Sequence, residues 1–424
     1  MKKALIPTLI AAMVLAFSNL SAPSASAFTL YRFTSHTFYA CGVFGPTGPT
    51  QSQCRSAYST TWDENDDNFT IVNGIQNWVV PFTGRYYIDA YGAGGAGLNA
   101  GYGARIADTF DLVQGETIKI LVGQTGASYF VYGSNAGGGG TFVTRTPFNN
   151  ESSILLIAGG GGGGESVTVQ QSVSLGSITT SGNPGSGNVS STEAGAGGTA
   201  GGGGGTASAQ NGGGGGGGFS GNGTSNTIFN NGGGLSYLNG GTGGAKGTNG
   251  SAVAGGFGGG GAANGNGAGG GSGGGGGYSG GGGADNIYGG TGGGGGSYVA
   301  GLNINRVQTA AGRIFNNNGQ VTITALTFPT VSLAVAGNAT SVSKGQSVTL
   351  TATVNQLAQV AFYADGKRIA NCTNRATSAG QVTCDWKPTT QKPVNLTAAI
   401  VLGGAPYVTS SVLPVAVTKR TGRR

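Results

Sequence analysis

Apolar and polar residues alternate along two parts of this chain, and a centre rich in glycine separates them. In residues 84–91, the side chains of Tyr86, Ile88 and Ala90 fall on one face, which is the pattern of a half-buried β-strand. The same reasoning predicts strands at residues 118–122, 141–146, 153–158, 297–300 and 320–325. Because strands precede and follow the centre, we expect one sheet structure that closes after it and brings its two ends together.

Residues 329–418 have a different composition, with less glycine and several short β-patterned runs. These runs are residues 331–335, 347–354, 359–363, 394–401 and 407–417. Asp365-Gly366 is a hairpin signal between two of them. Several short strands in fewer than a hundred residues predict a small immunoglobulin-like β-sandwich.

The centre, residues 159–296, holds most of the 92 glycines of the chain, in runs such as 212–218 and 273–277. Glycine does not recur at every third position, which excludes collagen. A flexible linker is the usual reading of such sequence. However, large apolar residues, which a linker does not need, are scattered through it: Phe219, Phe229, Leu235, Tyr237, Phe257, Tyr278, Ile287 and Tyr288. Ordering this segment costs about 1–2 kcal/mol of backbone entropy per residue, which only dense hydrogen bonding could offset. We therefore expect extended helices with three residues per turn whose backbones hydrogen-bond to neighbouring helices.

The N-terminus has the features of a secretory signal peptide. Lys2 and Lys3 precede an apolar stretch, and Ala25-Ser26-Ala27 fits a cleavage site, so residues 1–27 are predicted to be removed. No other segment approaches the roughly 18 apolar residues of a membrane span. We therefore expect a secreted, extracellular protein.

Charge is sparse and unevenly placed. Charged residues make up 8% of the chain. Residues 28–328 carry nine Lys and Arg against twelve Asp and Glu, whereas residues 329–424 carry ten against two. The basic tail, residues 419–424, could contact an anionic cell wall or lipid surface, or could simply be solvated. No basic stripe interleaved with aromatic residues is present, so nucleic acid is not a predicted partner.

The four cysteines of an exported chain predict two disulfides, for which three pairings exist. The local pairs, Cys41–Cys54 and Cys372–Cys384, would close loops with 12 and 11 intervening residues. Closing a loop of this length with a disulfide stabilises the folded protein by roughly 3 kcal/mol. Cys372 and Cys384 are too close in sequence to be the inter-sheet pair of an antibody domain. Neither pair has the spacing of a zinc site, so no metal is predicted.

Few residues could support catalysis. His36 is the only histidine, and no partner for it is evident in the sequence. The acidic run at residues 63–68 lacks the glycine and the final glutamate of an EF-hand calcium loop, so we interpret it as a solvated loop. We predict no enzymatic activity and no cofactor.

A set of motifs runs through residues 37–325: CG at 41–42, GPTGP at 45–49, NGIQNWVVP at 73–81, YGAGG at 91–95, ILVGQ at 120–124, LIAGGG at 156–161 and GGYSGG at 276–281. This pattern resembles the glycine-rich extracellular domain of the anaplastic lymphoma kinase and leukocyte tyrosine kinase receptors, and related bacterial glycine-rich proteins. The resemblance implies a tumour-necrosis-factor-like, jelly-roll β-sandwich formed by residues 28–158 and 297–326. It further implies that residues 159–296 form an inserted bundle of polyglycine II helices. No kinase motif is present, so kinase activity does not carry over.

Residues 360–367 (VAFYADGK) and 384–388 (CDWKP) resemble a bacterial immunoglobulin-like repeat, a module that serves as a spacer in surface proteins. Together these features predict an all-β, non-enzymatic binding or adhesion protein, secreted or at the cell surface, whose partner is an unidentified protein or glycan. The alternative is a self-associating structural component of the cell surface or extracellular matrix. The sequence does not identify ligand-binding residues. By analogy with phage tail-fibre adhesins, the loops at the tips of the glycine helices are the candidates.

Overall fold

The computed structural model describes residues 30–129, 133–164, 172–187, 194–208, 212–264, 270–285, 290–312, 318–372 and 375–420, without the side chains of 375–379. The predicted signal peptide, the last four residues of the basic tail, and Ile287 and Tyr288 lie outside these residues. The regular structure is almost entirely β-strand, arranged in three sheets. The prediction of an all-β protein is therefore confirmed.

The elements that the structure describes before residue 330 are short strands and one α-helix. The strands are β1 (Ser35–Tyr39), β2 (Phe69–Val72), β3 (Ile75–Val79), β4 (Gly84–Tyr91), β5 (Arg105–Leu112), β6 (Thr117–Leu121), β7 (Thr141–Arg145), β8 (Ile154–Ala158), β9 (Tyr298–Val299), β10 (Val307–Thr309) and β11 (Gln320–Ala325). The helix α1 spans Gln51–Ala57, and single 3-10 turns lie at Glu151–Ser153, Ser172–Ser174 and Tyr237–Asn239. Helix α1 was not predicted from the sequence.

Two antiparallel sheets form from these strands. One has the order β1-β11-β4-β5-β10 and the other the order β2-β3-β6-β7-β8-β9. Strand β11 lies between β1 and β4, with Val321 opposite Phe38 and Ile323 opposite Ile88. The glycine-rich segment leaves the sheet after β8 and returns in β9, which pairs with β8. Its two ends are therefore adjacent in space.

A mainly aromatic and aliphatic core fills the space between the two sheets. Tyr86, Ile88 and Ala90 of β4 are fully buried, as the alternation in this strand predicts. Trp78 of β3 packs against Phe33, with ring centroids 4.9 Å apart, and against Tyr86 at 5.9 Å. Burying one such aromatic side chain contributes on the order of 3 kcal/mol, so this cluster is a principal stabilising feature.

The third sheet contains the strands after residue 330. They are β12 (Val331–Val335), β13 (Ser341–Ser343), β14 (Val348–Ala364), β15 (Lys367–Arg368), β16 (Arg375–Trp386), β17 (Val394–Leu402), β18 (Ala405–Thr409) and β19 (Leu413–Thr418), with a 3-10 turn at Ala336–Asn338. Strand β14 joins two runs that the sequence predicts as separate strands, and its pairing with β16 shifts register between Val354 and Leu357. Asp365 and Gly366 both have positive φ, 48° and 74°, in the predicted hairpin turn.

Within the described part of residues 159–296, regular structure is limited to two 3-10 turns and one isolated bridge, between Val253 and Ala263. The backbone is nevertheless densely hydrogen-bonded, and every third N–H group donates to the same neighbouring segment. In residues 213–218, Gly213 and Gly216 donate to Ala284 and Gly281, Gly214 and Gly217 to Ala262 and Gly259, and Gly215 and Gly218 to Thr224 and Gly221. Residues 273–278 and 292–297 follow the same pattern. These segments are therefore held together by their main chains.

Aromatic residues of the glycine-rich segment cover the outer face of the six-stranded sheet. They are Phe219, Tyr237, Phe257 and Tyr278, and they pack with Leu121, Phe142, Ile154 and Ile157. Tyr237 stacks on Phe142 at 5.0 Å, and its hydroxyl lies 2.6 Å from the Thr144 hydroxyl. Burial raises the pKa of Tyr237 to about 12. Both faces of this sheet are thus covered, one by the core and one by the glycine-rich segment.

At many glycine positions inside the segment there is no space for a side chain. A Cβ atom added to Gly216, Gly281 or Gly292 would lie closer than 3.0 Å to a backbone carbonyl of a neighbouring segment, a separation that real Cβ atoms essentially never show. Backbone atoms cannot move aside as a flexible side chain can. Glycine is therefore required at these positions by close approach of the backbone.

We expect the substitution Gly216→Ala to destabilise the protein by about 3 kcal/mol or more, because the added methyl group would push two hydrogen-bonded segments apart. Gly250→Ala is the matched control, since its Cβ would meet nothing within 4 Å. Its effect should lie within about 1 kcal/mol of zero, helped by the lower entropy of the unfolded alanine chain. Urea unfolding of both variants measures the difference. Equal stability of the two would contradict the packing described above.

Candidate functional site

A pocket of about 560 Å³ lies where the sheet structure meets the glycine-rich segment. Three pieces of chain form it: the loop at residues 47–51, the tip of the β2–β3 hairpin, and residues 239–242 together with Phe257. Its lining residues are Thr47, Gly48, Pro49, Thr50, Gln51, Ile71, Asn73, Gly74, Asn239, Gly240, Thr242 and Phe257. Each piece is fixed by its own local interactions.

The first piece follows the GPTGPT motif at residues 45–50. The carbonyl of Gly45 accepts a hydrogen bond from the Phe257 N–H at 2.7 Å, and that of Pro46 accepts one from Gly243 at 2.9 Å. The motif ends at Thr50, the N-cap residue of α1, whose hydroxyl forms a capping box with the Gln53 side chain. The disulfide Cys41–Cys54 joins the residues on either side of this motif. The loop is thereby attached to both the sheet structure and the glycine-rich segment.

The second piece is a two-residue hairpin turn. Asn73 and Gly74 have φ values of 51° and 79°, which the type I′ turn of a tight hairpin requires. Gly74 lies directly against Gly48, and a Cβ on either residue would approach the other closer than 3.0 Å. Gln51 bridges to the hairpin, because its side chain donates to the Phe69 carbonyl and accepts from the Ile71 N–H.

The chemistry of the pocket is uncharged and hydrogen-bonding. None of its lining residues is ionisable, and hydroxyl, amide and backbone groups provide its polar surface. Within the described part of the chain, the side chains of Thr47, Asn73 and Thr242 make no hydrogen bond, whereas Asn239 donates to the Asn222 side chain at 2.9 Å. Such a pocket can bind a neutral ligand by hydrogen bonds, and it contains no group suited to acid–base or nucleophilic catalysis.

The predicted cysteine positions lie in two separate places. The structure joins Cys41 to Cys54 and Cys372 to Cys384, with Cα atoms 5.0 Å and 5.4 Å apart. Of the three connectivities that the sequence allows, the structure therefore has the one in which both disulfides are local. Only the first pair lies beside the pocket. The second fastens β16 to the loop before it.

His36 lies in β1, packed edge-on against rings of Phe38, Tyr58 and Trp62 with centroids 4.5–5.0 Å away. Its Nε2 atom is buried and has no hydrogen-bond partner in the described part of the chain. Burial lowers the pKa of His36 to about 4, partly opposed by the nearby Asp63 carboxylate. This is the environment of a neutral core histidine, and it lies outside the pocket.

The low pKa of His36 predicts a loss of stability in mild acid. Above pH 6.5 the imidazole is neutral in both the folded and the unfolded chain. As pH falls from about 6.5 towards 4, only the unfolded chain takes up the proton, so unfolding becomes easier by up to about 1.4 kcal/mol per pH unit. Urea unfolding of the natural protein and of a His36→Phe variant at pH 4.5, 5.5 and 7 tests this. The variant should lose part of the pH dependence, and identical slopes would show that His36 does not titrate as described.

The acidic run at residues 63–68 does not converge on one point. Two carboxylates of the run form ion pairs with Arg55, Asp66 at 2.7 Å and Glu64 at 3.8 Å. Asp63 is buried and accepts a hydrogen bond from the Thr60 hydroxyl. No group of three His, Cys, Asp or Glu side chains placed to hold a metal ion occurs among the described residues.

Sequence reasoning did not identify the pocket. Its signals were present: a GPTGPT loop between two cysteines and an Asn-Gly turn one strand later. What the sequence could not show is that the loop contacts Gly243 and Phe257, about 200 positions further on, and that the Asn-Gly turn lies against Gly48 of the same loop. The earlier expectation, a binding role for loops of the glycine-rich segment, stays a prediction, although residues 239–242 belong to such a loop.

Comparison with known proteins gives a limited result. No protein-family model matches the chain. Part of it is similar to the leukocyte tyrosine kinase receptor of Mus musculus, with 41% identity over 99 residues, which is 21% of this chain and 11% of the receptor. The chain thus spans about a tenth of that receptor's length, and the match concerns only its extracellular part. This supports an extracellular, receptor-like domain.

Among solved structures, the CARDB domain of the PF1109 protein of Pyrococcus furiosus is similar to 22% of this chain and 94% of its own, with 17% identity and a TM-score of 0.17. In the described residues, no helix has both the length and the apolar character needed to cross a bilayer.

Proposed function

We propose that this protein is an extracellular, non-enzymatic binding protein whose neutral pocket receives an uncharged glycan of a cell surface. The observation that carries the proposal is the pocket itself. Its volume is about 560 Å³, and its lining combines hydroxyl, amide and backbone groups with the apolar side chains of Pro49, Ile71 and Phe257 and contains no charge. Uncharged sugars are bound mainly through hydrogen bonds of this kind. The similarity to an extracellular receptor region and the two disulfides support a location outside the cell. In this proposal a bacterial cell secretes the protein or carries it on its surface.

The proposal includes a domain organisation. Residues 28–158 and 297–326 form a jelly-roll sandwich of the tumour-necrosis-factor type, and residues 329–418 form an immunoglobulin-like spacer. Residues 159–296 form a bundle of polyglycine II helices. The period of three in the hydrogen bonds supports the bundle, because a helix with three residues per turn points every third N–H in the same direction. The bundle supplies one rigid wall of the pocket.

Amide hydrogen exchange tests the bundle. We expect Gly213–Gly218, which are buried and bonded to three neighbouring segments, to exchange at least about a thousandfold more slowly than a free peptide, because they open only with a large part of the fold. The exposed Gly250 is the internal control and should exchange fast. Exchange of the amides of residues 213–218 at the rate of a free peptide would show that these residues do not form the bundle.

Blocking the pocket tests the function. Thr47 is exposed on its wall, so Thr47→Trp should fill the entrance and abolish binding while the fold is kept. Thr383→Trp is the matched control, because Thr383 is equally exposed on β16, in another sheet. Purified proteins are applied to an array of neutral and charged glycans, and Kd is measured for the best neutral hit. Binding is expected for the natural protein and the control.

Three results would refute the proposal. The natural protein could bind no neutral glycan, both variants could lose binding equally, or Thr47→Trp could bind as tightly as the natural protein. Binding to a protein instead of a glycan would keep the pocket but replace its ligand.

A second candidate function is self-association into a surface layer or matrix. It is favoured by the partial exposure of the glycine backbone at Gly197, Gly202 and Gly203. Their backbone could continue the sideways hydrogen bonding with a second molecule. Sedimentation velocity across a hundredfold range of concentration tests this candidate, and a monomer throughout would exclude it.

A further inference from the structure

Five cations gather at one end of the sheet formed by residues 331–418. Strand β13 runs parallel to β19, with Ser343 opposite Thr418, and the Lys344 N–H donates to the Thr418 carbonyl at 2.9 Å. This places Lys344 beside Lys419 and Arg420. The Gly345 N–H donates to the Pro388 carbonyl at 2.9 Å, which brings Lys387 to the same place. We name this group, together with Lys392 of the same loop as Lys387, the basic end.

Lys392 reaches the basic end through β17. It precedes the first residue of that strand, Val394, which pairs with Val415 of β19, three residues before Thr418. The basic end is therefore built from three different parts of the chain: the turn before β14, the loop between β16 and β17, and the residues after β19. Folding, rather than a run of basic sequence, brings the charges together.

The charges of the basic end are available to a partner. All five side chains are exposed, and none forms an ion pair within the part of the chain that the structure describes. The two carboxylates of the sheet are both engaged. Asp385 accepts a hydrogen bond from the Thr349 hydroxyl at 2.8 Å, and Asp365 accepts one from the Asn395 N–H at 2.9 Å. The surface thus has an excess of positive charge that its own fold does not neutralise.

The surroundings of the basic end indicate what kind of anion fits. Membrane binding by a basic patch needs a second, apolar contribution. The segments 343–346, 387–393 and 418–420 expose no large apolar side chain, and the nearby Trp386 is buried. The same absence of exposed rings leaves no surface on which nucleic-acid bases could stack. Four of the five cations are lysines, and lysine binds phosphate as a compact point charge with three rotatable donors, without the fixed bidentate geometry of arginine.

We propose that the basic end is a binding surface for a water-soluble phosphate polymer. The polymer lies across the three segments and contacts about five phosphates, one for each cation. This inference rests on the C-terminal sheet alone and does not depend on the neutral pocket. A protein of this design would hold a phosphate polymer at one site and present the pocket at another.

The test measures binding of long-chain inorganic polyphosphate by the full-length protein as a function of NaCl concentration. Counterion release predicts that the logarithm of the binding constant falls linearly with the logarithm of the salt concentration, with a slope of about −3.5 for five contacts. The double variant Lys344→Gln, Lys387→Gln removes two contacts from the folded loops. Its affinity at low salt should fall about tenfold or more, and its slope should become less steep by about 1.4.

Matched controls separate the surface from net charge and from the tail. Arg85→Gln, Lys246→Gln also removes two positive charges, but outside the C-terminal sheet, and should bind almost as well as the natural protein. Lys344→Arg, Lys387→Arg keeps the charge and should retain binding, which excludes a folding defect as the cause of a loss. A chain ending at Arg420 should keep most of the affinity.

Several results would overturn the proposal. An equal loss of affinity in the Lys344→Gln, Lys387→Gln variant and in the Arg85→Gln, Lys246→Gln control would show that binding depends only on net charge. Loss only in the chain ending at Arg420 would assign binding to the tail. Stronger binding to vesicles of phosphatidylcholine and phosphatidylglycerol (3:1) than to polyphosphate would replace the polymer by a lipid surface. Tightest binding to single-stranded DNA would replace it by nucleic acid.

Discussion

The close approach of glycine backbones in residues 159–296 is the constraint on which the rest of this protein depends. Segments come so near to one another that a Cβ atom would collide with a neighbouring carbonyl, and hydrogen bonds in three directions take the place of side-chain packing. Glycine loses more backbone entropy on ordering than any other residue, so such an arrangement needs firm attachment at its edges. The sheet provides it, through aromatic rings that cover Phe142 and Ile157.

The pocket is a product of the same contact between sheet and glycine-rich segment. Its walls come from two turns of the sheet structure and one loop of the segment, and main-chain hydrogen bonds from Phe257 and Gly243 hold them together. Because these bonds involve backbone atoms, the shape of the pocket depends on the position of whole segments rather than on the rotamers of a few side chains. The disulfide at Cys41 and α1 keep the outer loop in place.

The sequence predicts the strands well wherever hydrophobic alternation is strong. Strands β4, β11 and β12 have the predicted bounds, and β7, β8 and β17 differ by a residue or so. The sequence predicts two separate runs, at residues 347–354 and 359–363, where the structure has the continuous strand β14, whose pairing with β16 shifts register between Val354 and Leu357. The pocket and the basic end could not be predicted, because both depend on contacts between residues far apart in sequence. Turn signals identify the loops that line the pocket and charge counts identify the basic residues, but neither shows that these segments come together in the fold.

The position of β11 in its sheet determines the order in which the strands can pair during folding. This strand lies between β1 and β4, yet it follows β4 by more than two hundred residues, and the entire glycine-rich segment separates them. Until β11 has been synthesised, β1 has no strand to pair with in the described part of the chain, and β4 has only β5. Loop closure over such a distance is slow compared with local hairpin formation. The topology therefore delays completion of the five-stranded sheet until just over three quarters of the polypeptide is present. Until then, β1 and one edge of β4 keep backbone hydrogen-bonding groups that no strand has yet satisfied.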